Sequence, residues 1–133
     1  MATPTIAWIG AKVIKNLVDR GRPAGEGLDV LQRGAPEDGL GYISGHAAVT
    51  FALAAAVGAH LRGRLALIPL VAAALVGLAR IYVGVHLPLD VVGGAAAGVL
   101  IGEAARLVEM VHTRRSAAEA AAAEAAAVAA QDR

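Results

Sequence analysis

The chain has 133 residues, a formal net charge of +1 and only 3% aromatic side chains. This length suits one domain, and the near-neutral charge with so few aromatic residues excludes a basic, base-stacking surface, so no nucleic-acid partner is expected. The absence of cysteine excludes disulfides, thiolate metal ligands and cysteine nucleophiles.

Hydrophobic residues make up 57% of the chain, against roughly 45–50% in a soluble domain, and they concentrate in four stretches. The first, residues 5–18, has basic residues near its end, like the last turns of a membrane helix. The second, residues 44–61, meets the lower bound of the about 17–25 residues that span a bilayer. The third, residues 65–79, meets this bound if its helix continues to Tyr82.

The fourth stretch, residues 91–102, contains a glycine at every fourth position. It reaches membrane-spanning length if its helix begins at Pro88 and ends near Val108. A stripe of glycines permits close approach of two helix backbones in lipid, and its members here are Gly94, Gly98 and Gly102. Helices that are hydrophobic on all sides also occur inside soluble bundles, but the lengths and the glycine stripe together favour a membrane bundle.

Two other segments differ from these helices in composition. Residues 19–43 are rich in glycine, proline and charge, which predicts an irregular loop, and connections of this length are usually functional or disordered. Residues 112–133 form a low-complexity tail dominated by alanine, for which we expect a frayed helix or a disordered end without chemistry. The sequence therefore predicts a membrane domain over residues 1–111, containing the 19–43 loop, and a separate tail.

Three charged or titratable residues, Arg80, His86 and Asp90, interrupt the apolar part of the chain. Gly84 and Pro88 break the helical pattern between them, so one helix ends shortly after Arg80 and the next begins at Pro88. A helix N-terminus beside an arginine attracts phosphate, and a histidine beside a carboxylate is an oriented nucleophile or base. The structural alternative is a loop histidine, a first-turn acid and an arginine that flanks a membrane helix.

Two further elements place phosphate-complementary groups at helix ends. Ser44 directly precedes an apolar helix, where it is a good N-cap, and the N–H groups of Gly45 and His46 would face an anion there. The other element contains basic residues just before Pro23, namely Lys15, Arg20 and Arg22. Each element alone has a structural explanation as a cap or a juxtamembrane flank, but three such elements together favour a phosphate site.

Taken in order, the three elements resemble the signature of the type 2 phosphatidic acid phosphatases, which share a fold and a site with the vanadium haloperoxidases. That signature reads Lys, six residues, Arg-Pro; then Pro-Ser-Gly-His; then Ser-Arg, five residues, His, three residues, Asp. The first part is complete here, the second has Ile43 in place of proline, and the third has Ala79 in place of serine. The matching residues are Lys15, Arg22, Pro23, Ser44, Gly45, His46, Arg80, His86 and Asp90.

The resemblance covers roughly Ile6 to Val108 and implies a fold and a set of roles. The fold would be an all-α membrane bundle with about four helices present, completed by upstream segments or by a partner such as a second copy. His86 would be the nucleophile that takes the phosphoryl group, Asp90 would orient it, and His46 would protonate the leaving oxygen. Phosphate would be bound by Lys15, Arg22, Ser44, Gly45 and Arg80. No metal or other cofactor is implied, because these cations and a helix end can stabilise the developing charge.

We therefore predict an integral membrane phosphatase that hydrolyses a lipid-linked phosphate monoester or pyrophosphate through a phosphohistidine intermediate. Its substrate would be a lipid such as phosphatidate or polyprenyl pyrophosphate. Two alternatives are a haloperoxidase-like site that holds vanadate and a non-catalytic helical module of a larger membrane assembly.

The distribution of basic residues predicts an orientation. If the helices alternate in direction, Arg62 and Arg64 lie on the same side as Arg114 and Arg115, and the positive-inside rule places that side in the cytoplasm. The site would then lie at the outer face of the plasma membrane. The 19–43 loop also contains arginines, which would either bind phosphate or pair with acidic residues of that loop, namely Asp19, Glu26, Asp29, Glu37 and Asp38.

Overall fold

A computed structural model describes residues 3–27, 29–33, 37 and 39–131, apart from the side chains at 125, 129 and 131. Four α-helices make up most of it: α1 Thr3–Val18, α2 Gly45–Gly58, α3 Leu67–Tyr82 and α4 Pro88–Gln131. A short 3-10 helix, Gly63–Ala66, precedes α3. The described part of the chain contains no β-strand, although Gly21 and Leu40 form an isolated bridge. The predicted all-α bundle of about four helices is confirmed.

The turn between α3 and α4 has the boundaries that Gly84 and Pro88 predict. The chain leaves α3 through Gly84, which has a φ of +82°, a conformation that glycine adopts without steric cost. The next helix begins at Pro88, whose ring fixes a helical φ and whose missing N–H needs no partner at this position. The Asp90 carboxylate caps this helix by accepting a hydrogen bond of 2.8 Å from the Leu87 N–H.

Helix α2 is shorter than predicted. The apolar stretch 44–61 suggested a membrane-spanning helix, but α2 ends at Gly58 and has 14 residues, which corresponds to about 21 Å. The chain turns after Gly58, where the Leu61 N–H donates to the Gly58 carbonyl at 3.1 Å, and Gly63 then takes a positive φ of +58°. Among the described residues, two helical segments are long and apolar enough to cross a membrane, Gly63–Tyr82 and Pro88–Val128.

The closest contact between helices joins α2 to α4. A Cβ atom added to any of three α4 glycines would lie 2.3–2.7 Å from a carbonyl oxygen of α2 or of its N-cap residue, so only glycine fits this contact. The pairs are Gly94 with Ser44, Gly98 with Ala48 and Gly102 with Ala52. Because the residue numbers rise together in the two helices, α2 and α4 run parallel, and both begin at the same end of the bundle.

Small side chains form the interior of the bundle, and large apolar ones cover its exterior. The most buried apolar positions of the helices are alanines, including Ala7, Ala47, Ala48 and Ala52, each with no exposed surface. Five large apolar residues of α3 are instead 55–61% exposed: Leu67, Ile68, Val71, Leu75 and Leu78. This distribution is typical of helices in lipid, where small residues mediate helix contact and large apolar residues face the hydrocarbon.

The alanine-rich tail continues helix α4. The helix extends without interruption to Gln131, and the side chains from Leu107 to Glu124 are all exposed. Of the two expectations for this segment, a helix or a disordered end, the structure has the helix. Alanine has the highest intrinsic helix propensity, so the segment can remain helical without packing against the bundle.

Replacing Gly98 by alanine should weaken the contact between α2 and α4, because the new methyl group would lie 2.3 Å from the Ala48 carbonyl oxygen. The two helices would have to separate, and overpacking of this kind costs about 1–3 kcal/mol. We expect a lower midpoint in thermal unfolding of the purified protein in detergent, measured by circular dichroism.

Gly10→Ala is the matched control, since its added methyl group would meet the Cδ1 atom of Ile101 at 3.5 Å, an ordinary contact. This variant should unfold at the wild-type temperature or slightly above it, because alanine stabilises a helix relative to glycine. Equal midpoints for the two variants would show that the packing of α2 on α4 does not require glycine at position 98.

Candidate active site

Four helix ends lie at one side of the bundle, next to a cavity of about 530 Å³. Helices α1 and α3 end there, and α2 and α4 begin there. Five of the eight predicted site residues line this cavity: Lys15, Arg22, Gly45, His46 and His86. The topology therefore brings together residues from α1, from the 19–43 loop, from the start of α2 and from the turn before α4.

The remaining three predicted residues, Ser44, Arg80 and Asp90, are not among the lining residues. Ser44 is fully buried, and its hydroxyl oxygen accepts a hydrogen bond of 3.4 Å from the Ala47 N–H. The Ser44 N–H donates to the Asp90 carbonyl oxygen at 2.9 Å. The structural interpretation of Ser44 as the N-cap of α2 is confirmed, and its contact with phosphate stays a prediction.

His86 and Asp90 form a buried pair. The His86 Nδ1 atom lies 3.4 Å from Asp90 Oδ2, and the two residues are 3% and 0% exposed. This distance is longer than an ordinary hydrogen bond. The other carboxylate oxygen of Asp90 accepts a hydrogen bond from Arg20. The predicted proximity of His86 to Asp90 is confirmed.

The surroundings of His86 favour its neutral form. Burial of the ring lowers the pKa of His86 to about 4, and the positive charges of Arg22 and Lys15 act in the same direction. The Asp90 carboxylate raises the pKa of His86, but its effect is smaller than the combined effect of burial and the cations. At neutral pH the imidazole is therefore uncharged, which is the form that has a lone pair for attack on an electrophile.

Two arginines of the predicted phosphate site bind one carboxylate, that of Glu37. The Arg80 Nη2 atom donates to both carboxylate oxygens of Glu37 at 2.6 Å, and Arg22 Nη2 lies 2.8 Å from Glu37 Oε2. The hydrogen bond from Arg80 and the charges of both arginines lower the pKa of Glu37. The two guanidinium groups are thus positioned to bind the oxygen atoms of a single anion. No group of three His, Asp or Glu side chains that could hold a metal ion occurs among the described residues.

The 19–43 loop crosses the site and is attached to the bundle by hydrogen bonds. The Lys15 Nζ atom donates to the Leu40 carbonyl at 2.7 Å, and Arg22 Nη1 donates to the Val85 carbonyl at 3.2 Å. The Arg33 N–H donates to the Val83 carbonyl at 2.9 Å. The described part of the loop is irregular, as its composition predicts, and these contacts attach it to α1 and to the turn between α3 and α4.

An apolar groove extends the cavity away from the cationic end. Its walls include Trp8 and Ala11 on α1 and Val49 on α2. Ala11 and Trp8 lie one and two turns before Lys15, on the same face of α1. Lys12 also lines the cavity, and its Nζ atom lies 4.1 Å from the centre of the Trp8 ring. The cavity thus combines an anion-binding end with an apolar path between two helices.

Both departures from the family signature lie away from the cavity. Ile43, in the position of the proline, is 2% exposed and packs in the small core with Ala11 and Ala48. Ala79, in the position of the serine, is exposed on α3. Neither residue lines the cavity, so both substitutions leave its cationic groups unchanged.

The sequence analysis did not identify the partner of Arg20, and it did not single out Trp8 or Lys12. Pairing of loop arginines with loop acids is confirmed for Arg22 with Glu37. Arg20, however, pairs with Asp90 of α4, 70 residues away, and no local pattern indicates such a partner. Trp8 and Lys12 were not singled out, although their helical spacing from Lys15 would have placed them on the cavity face.

Comparison with known proteins identifies the family. The PAP2 superfamily matches residues 2–114, so the chain belongs to the PAP2 superfamily, as its three sequence elements predict. It is similar to the crystal structure of a transmembrane PAP2-type phosphatidylglycerolphosphate phosphatase from Bacillus subtilis, with a TM-score of 0.71 and 24% identity. The similarity covers 81% of this chain and 56% of that one, so the chain spans little more than half the length of that structure. No curated protein matches the chain.

A histidine titration should detect the buried, neutral state of His86. In protein with 13C-labelled histidine rings, the signal that disappears in His86→Gln should titrate with a midpoint near pH 4, against about 6.5 for an unperturbed imidazole. The midpoint is low because burial and the neighbouring cations both oppose protonation. A midpoint at or above pH 6.5 would contradict the arrangement of charges around this ring.

Proposed function

We propose that the chain hydrolyses a lipid-linked phosphate monoester or pyrophosphate through a phosphohistidine intermediate. The observation that carries this proposal is the neutral, buried His86 beside Asp90, at a cavity that Lys15 and Arg22 also line. Membership of the PAP2 superfamily supports it. The similar solved structure is named a phosphatidylglycerolphosphate phosphatase, which supports a lipid phosphate as the substrate class.

In the first step, the Nε2 atom of His86 attacks phosphorus, and a P–N bond forms as the P–O bond to the leaving group breaks. His46, which lines the same cavity from the first turn of α2, gives a proton to the departing oxygen. In the second step, His46 removes a proton from water, the resulting hydroxide attacks phosphorus, and the P–N bond breaks. Phosphate leaves, and both histidines return to their starting protonation states.

The transition state gathers negative charge on the phosphoryl oxygens, and the cationic end of the cavity is arranged to stabilise it. Lys15, Arg22 and Arg80 would contact these oxygens together with the N–H of Gly45 at the start of α2. Substrate phosphate would replace the Glu37 carboxylate on the two guanidinium groups, because both anions require the same donor atoms. The proposal requires no metal ion.

A lipid substrate accounts for the apolar groove and for the surface of the bundle. The groove beside Trp8 and Val49 would accept the first part of an acyl or prenyl chain, and the exposed apolar residues of α3 would face the surrounding hydrocarbon. The two helical segments long enough to cross a bilayer support a membrane location. We place the site at the outer face of the plasma membrane, following the positive-inside rule, with further helices or a second copy packed against the exposed faces.

Alanine substitutions should separate the roles of the two histidines. His86→Ala removes the nucleophile, so turnover should be lost equally on an alkyl phosphate and on p-nitrophenyl phosphate. His46→Ala removes a general acid, which typically contributes about 10²–10⁴-fold. An alkoxide needs that proton, whereas p-nitrophenolate leaves readily without it. His46→Ala should therefore impair hydrolysis of the alkyl phosphate much more than that of p-nitrophenyl phosphate.

The measurement is turnover of each variant on both substrates, with acid-labile phosphate on the protein as a second readout. Wild-type protein quenched during turnover should carry such phosphate, and His86→Ala should carry none. Equal losses for His46→Ala on the two substrates would exclude its role as general acid. Phosphate that still labels His86→Ala would exclude His86 as the nucleophile.

Chelation and vanadate should have opposite effects on activity. EDTA should leave phosphate release unchanged, because side chains alone provide the nucleophile, the acid and the charge stabilisation. Vanadate should inhibit at micromolar concentration, because it adopts the five-coordinate geometry of the transition state on a histidine nitrogen. Release of phosphate from a panel of lipid phosphates and pyrophosphates, with and without each reagent, provides the test. Activity that is lost in EDTA and restored by magnesium would refute the mechanism.

A further inference from the structure

Asp90 is a carboxylate with no exposed surface. Removing a carboxylate from water costs several kcal/mol unless a cation and hydrogen bonds compensate for the lost hydration. Asp90 Oδ2 accepts a hydrogen bond of 2.8 Å from the Leu87 N–H and lies 3.4 Å from His86 Nδ1. Because His86 is neutral, neither contact supplies a positive charge. The compensating cation must come from elsewhere in the chain.

Arg20 is that cation. Its Nη2 atom donates a hydrogen bond to Asp90 Oδ1, the oxygen that faces away from His86. Arg20 is not among the residues that line the cavity, in contrast to Arg22, two residues further along the same loop. The two arginines thus have different positions: Arg22 reaches the proposed phosphate position, and Arg20 reaches the back of the carboxylate.

The loop holds Arg20 in place from both sides. The Arg20 carbonyl oxygen accepts a hydrogen bond of 2.7 Å from the Gly41 N–H, and the guanidinium carbon lies 5.9 Å from the centre of the Tyr42 ring. A Cβ atom on Gly41 would lie 2.5 Å from the Gly21 carbonyl oxygen and 3.2 Å from Arg20 Nη2. The absence of a side chain at position 41 therefore allows the two ends of the loop to meet behind Asp90.

We propose that Arg20 is a positioning residue, which balances the charge of the Asp90 carboxylate and orients it so that Asp90 fixes the ring of His86. This role rests on the proposed phosphatase function, although the contact itself does not. Arg20 is linked to His86 by two contacts, through Asp90, and does not touch the substrate. Arg20 also weakens the tendency of Asp90 to hold a proton on His86, because the guanidinium group offsets part of the negative charge of the carboxylate.

Loss of Arg20 should change proton uptake at the pair as well as its geometry. Removing one positive charge favours protonation of the His86–Asp90 pair, whichever group takes the proton. Other charged or titratable groups face His86 from every neighbouring element and stay in place in the variant: Lys15 on α1, Arg22 and Glu37 in the loop, His46 on α2 and Arg80 on α3. Because these groups are the same in wild type and in an Arg20 variant, a difference in the titration of His86 between the two proteins is caused by the loss of Arg20.

The first experiment compares Arg20→Met with wild type and with Arg33→Met. Arg33 is an arginine of the same loop that donates to the Tyr82 carbonyl at 2.8 Å, so its replacement controls for the loss of a loop cation. In full-length protein with labelled histidine rings, the His86 signal of Arg20→Met should titrate at a pH higher by roughly one unit. Arg33→Met should titrate as wild type does. An unchanged midpoint in Arg20→Met would overturn the proposal.

The second experiment is a double-mutant cycle on p-nitrophenyl phosphate with Arg20→Met and Asp90→Asn. If Arg20 acts through Asp90, Arg20→Met alone should lower kcat about tenfold or more, with KM within about twofold of wild type. In the Asp90→Asn background the same change should lower kcat less than about twofold, because its target is already absent. Equal fold losses in the two backgrounds would show that Arg20 acts independently of Asp90, which would also overturn the proposal.

Arg20→Lys keeps the test valid if Arg20→Met does not fold. Lysine keeps the charge but lacks the second donor of the guanidinium fork, so the His86 midpoint should stay at the wild-type value while kcat falls. If the His86 midpoint in Arg20→Lys rises by the roughly one unit expected for loss of the charge, the proposal is contradicted. If wild-type protein hydrolyses none of the phosphate substrates, the proposed function fails, whereas the titration of His86 still decides whether Arg20 controls the pair.

Discussion

The contact between α2 and α4 is the constraint on which the site depends. Three glycines of α4 lie so close to α2 that any side chain at those positions would meet a carbonyl oxygen. The two helices run parallel in this contact, so both of their N-termini lie at the same end of the bundle. The backbone bond from Ser44 to Asp90 joins these two ends directly. His46 on one helix and the His86–Asp90 pair at the start of the other therefore keep a fixed relative position.

Charge in the site is arranged in two layers around His86. On the cavity side, Lys15 and Arg22 oppose protonation of the ring and would bind the phosphoryl oxygens. Behind the ring, Asp90 supplies a negative charge that Arg20 compensates. A nucleophilic imidazole requires both layers, since cations alone would leave its orientation undefined and an uncompensated carboxylate would hold a proton on it.

Much of this organisation follows from local sequence patterns. Gly84 and Pro88 locate the turn that carries His86, Ser44 locates the start of α2, and the glycine stripe indicates a close helix contact. These features are predictable because each depends on the conformational preference of one or a few neighbouring residues. The end of α2 was predicted incorrectly, since the apolar pattern continues through Leu61 although the chain turns at Gly58.

The contacts that sequence reasoning did not identify are those that depend on tertiary structure. Arg20 reaches Asp90 only because the 19–43 loop folds back across the ends of the helices. The loop contains several acids and several arginines, and their charges alone do not determine which pairs form. Arg20 and Arg22 likewise contact different partners, Asp90 and Glu37, although only one residue separates them in the chain.

The continuity of α4 explains why an alanine-rich tail can be ordered without a partner. Formation of the first turn is the unfavourable step for an isolated helix, and segments shorter than about 12–15 residues are marginal in water even when they are rich in alanine. The tail does not need to form a first turn, because the turns that pack on α2 already provide a nucleus. Each further residue adds one backbone hydrogen bond to an existing helix. The helical order of the tail thus originates in the same glycine-lined segment that fixes the geometry of the site.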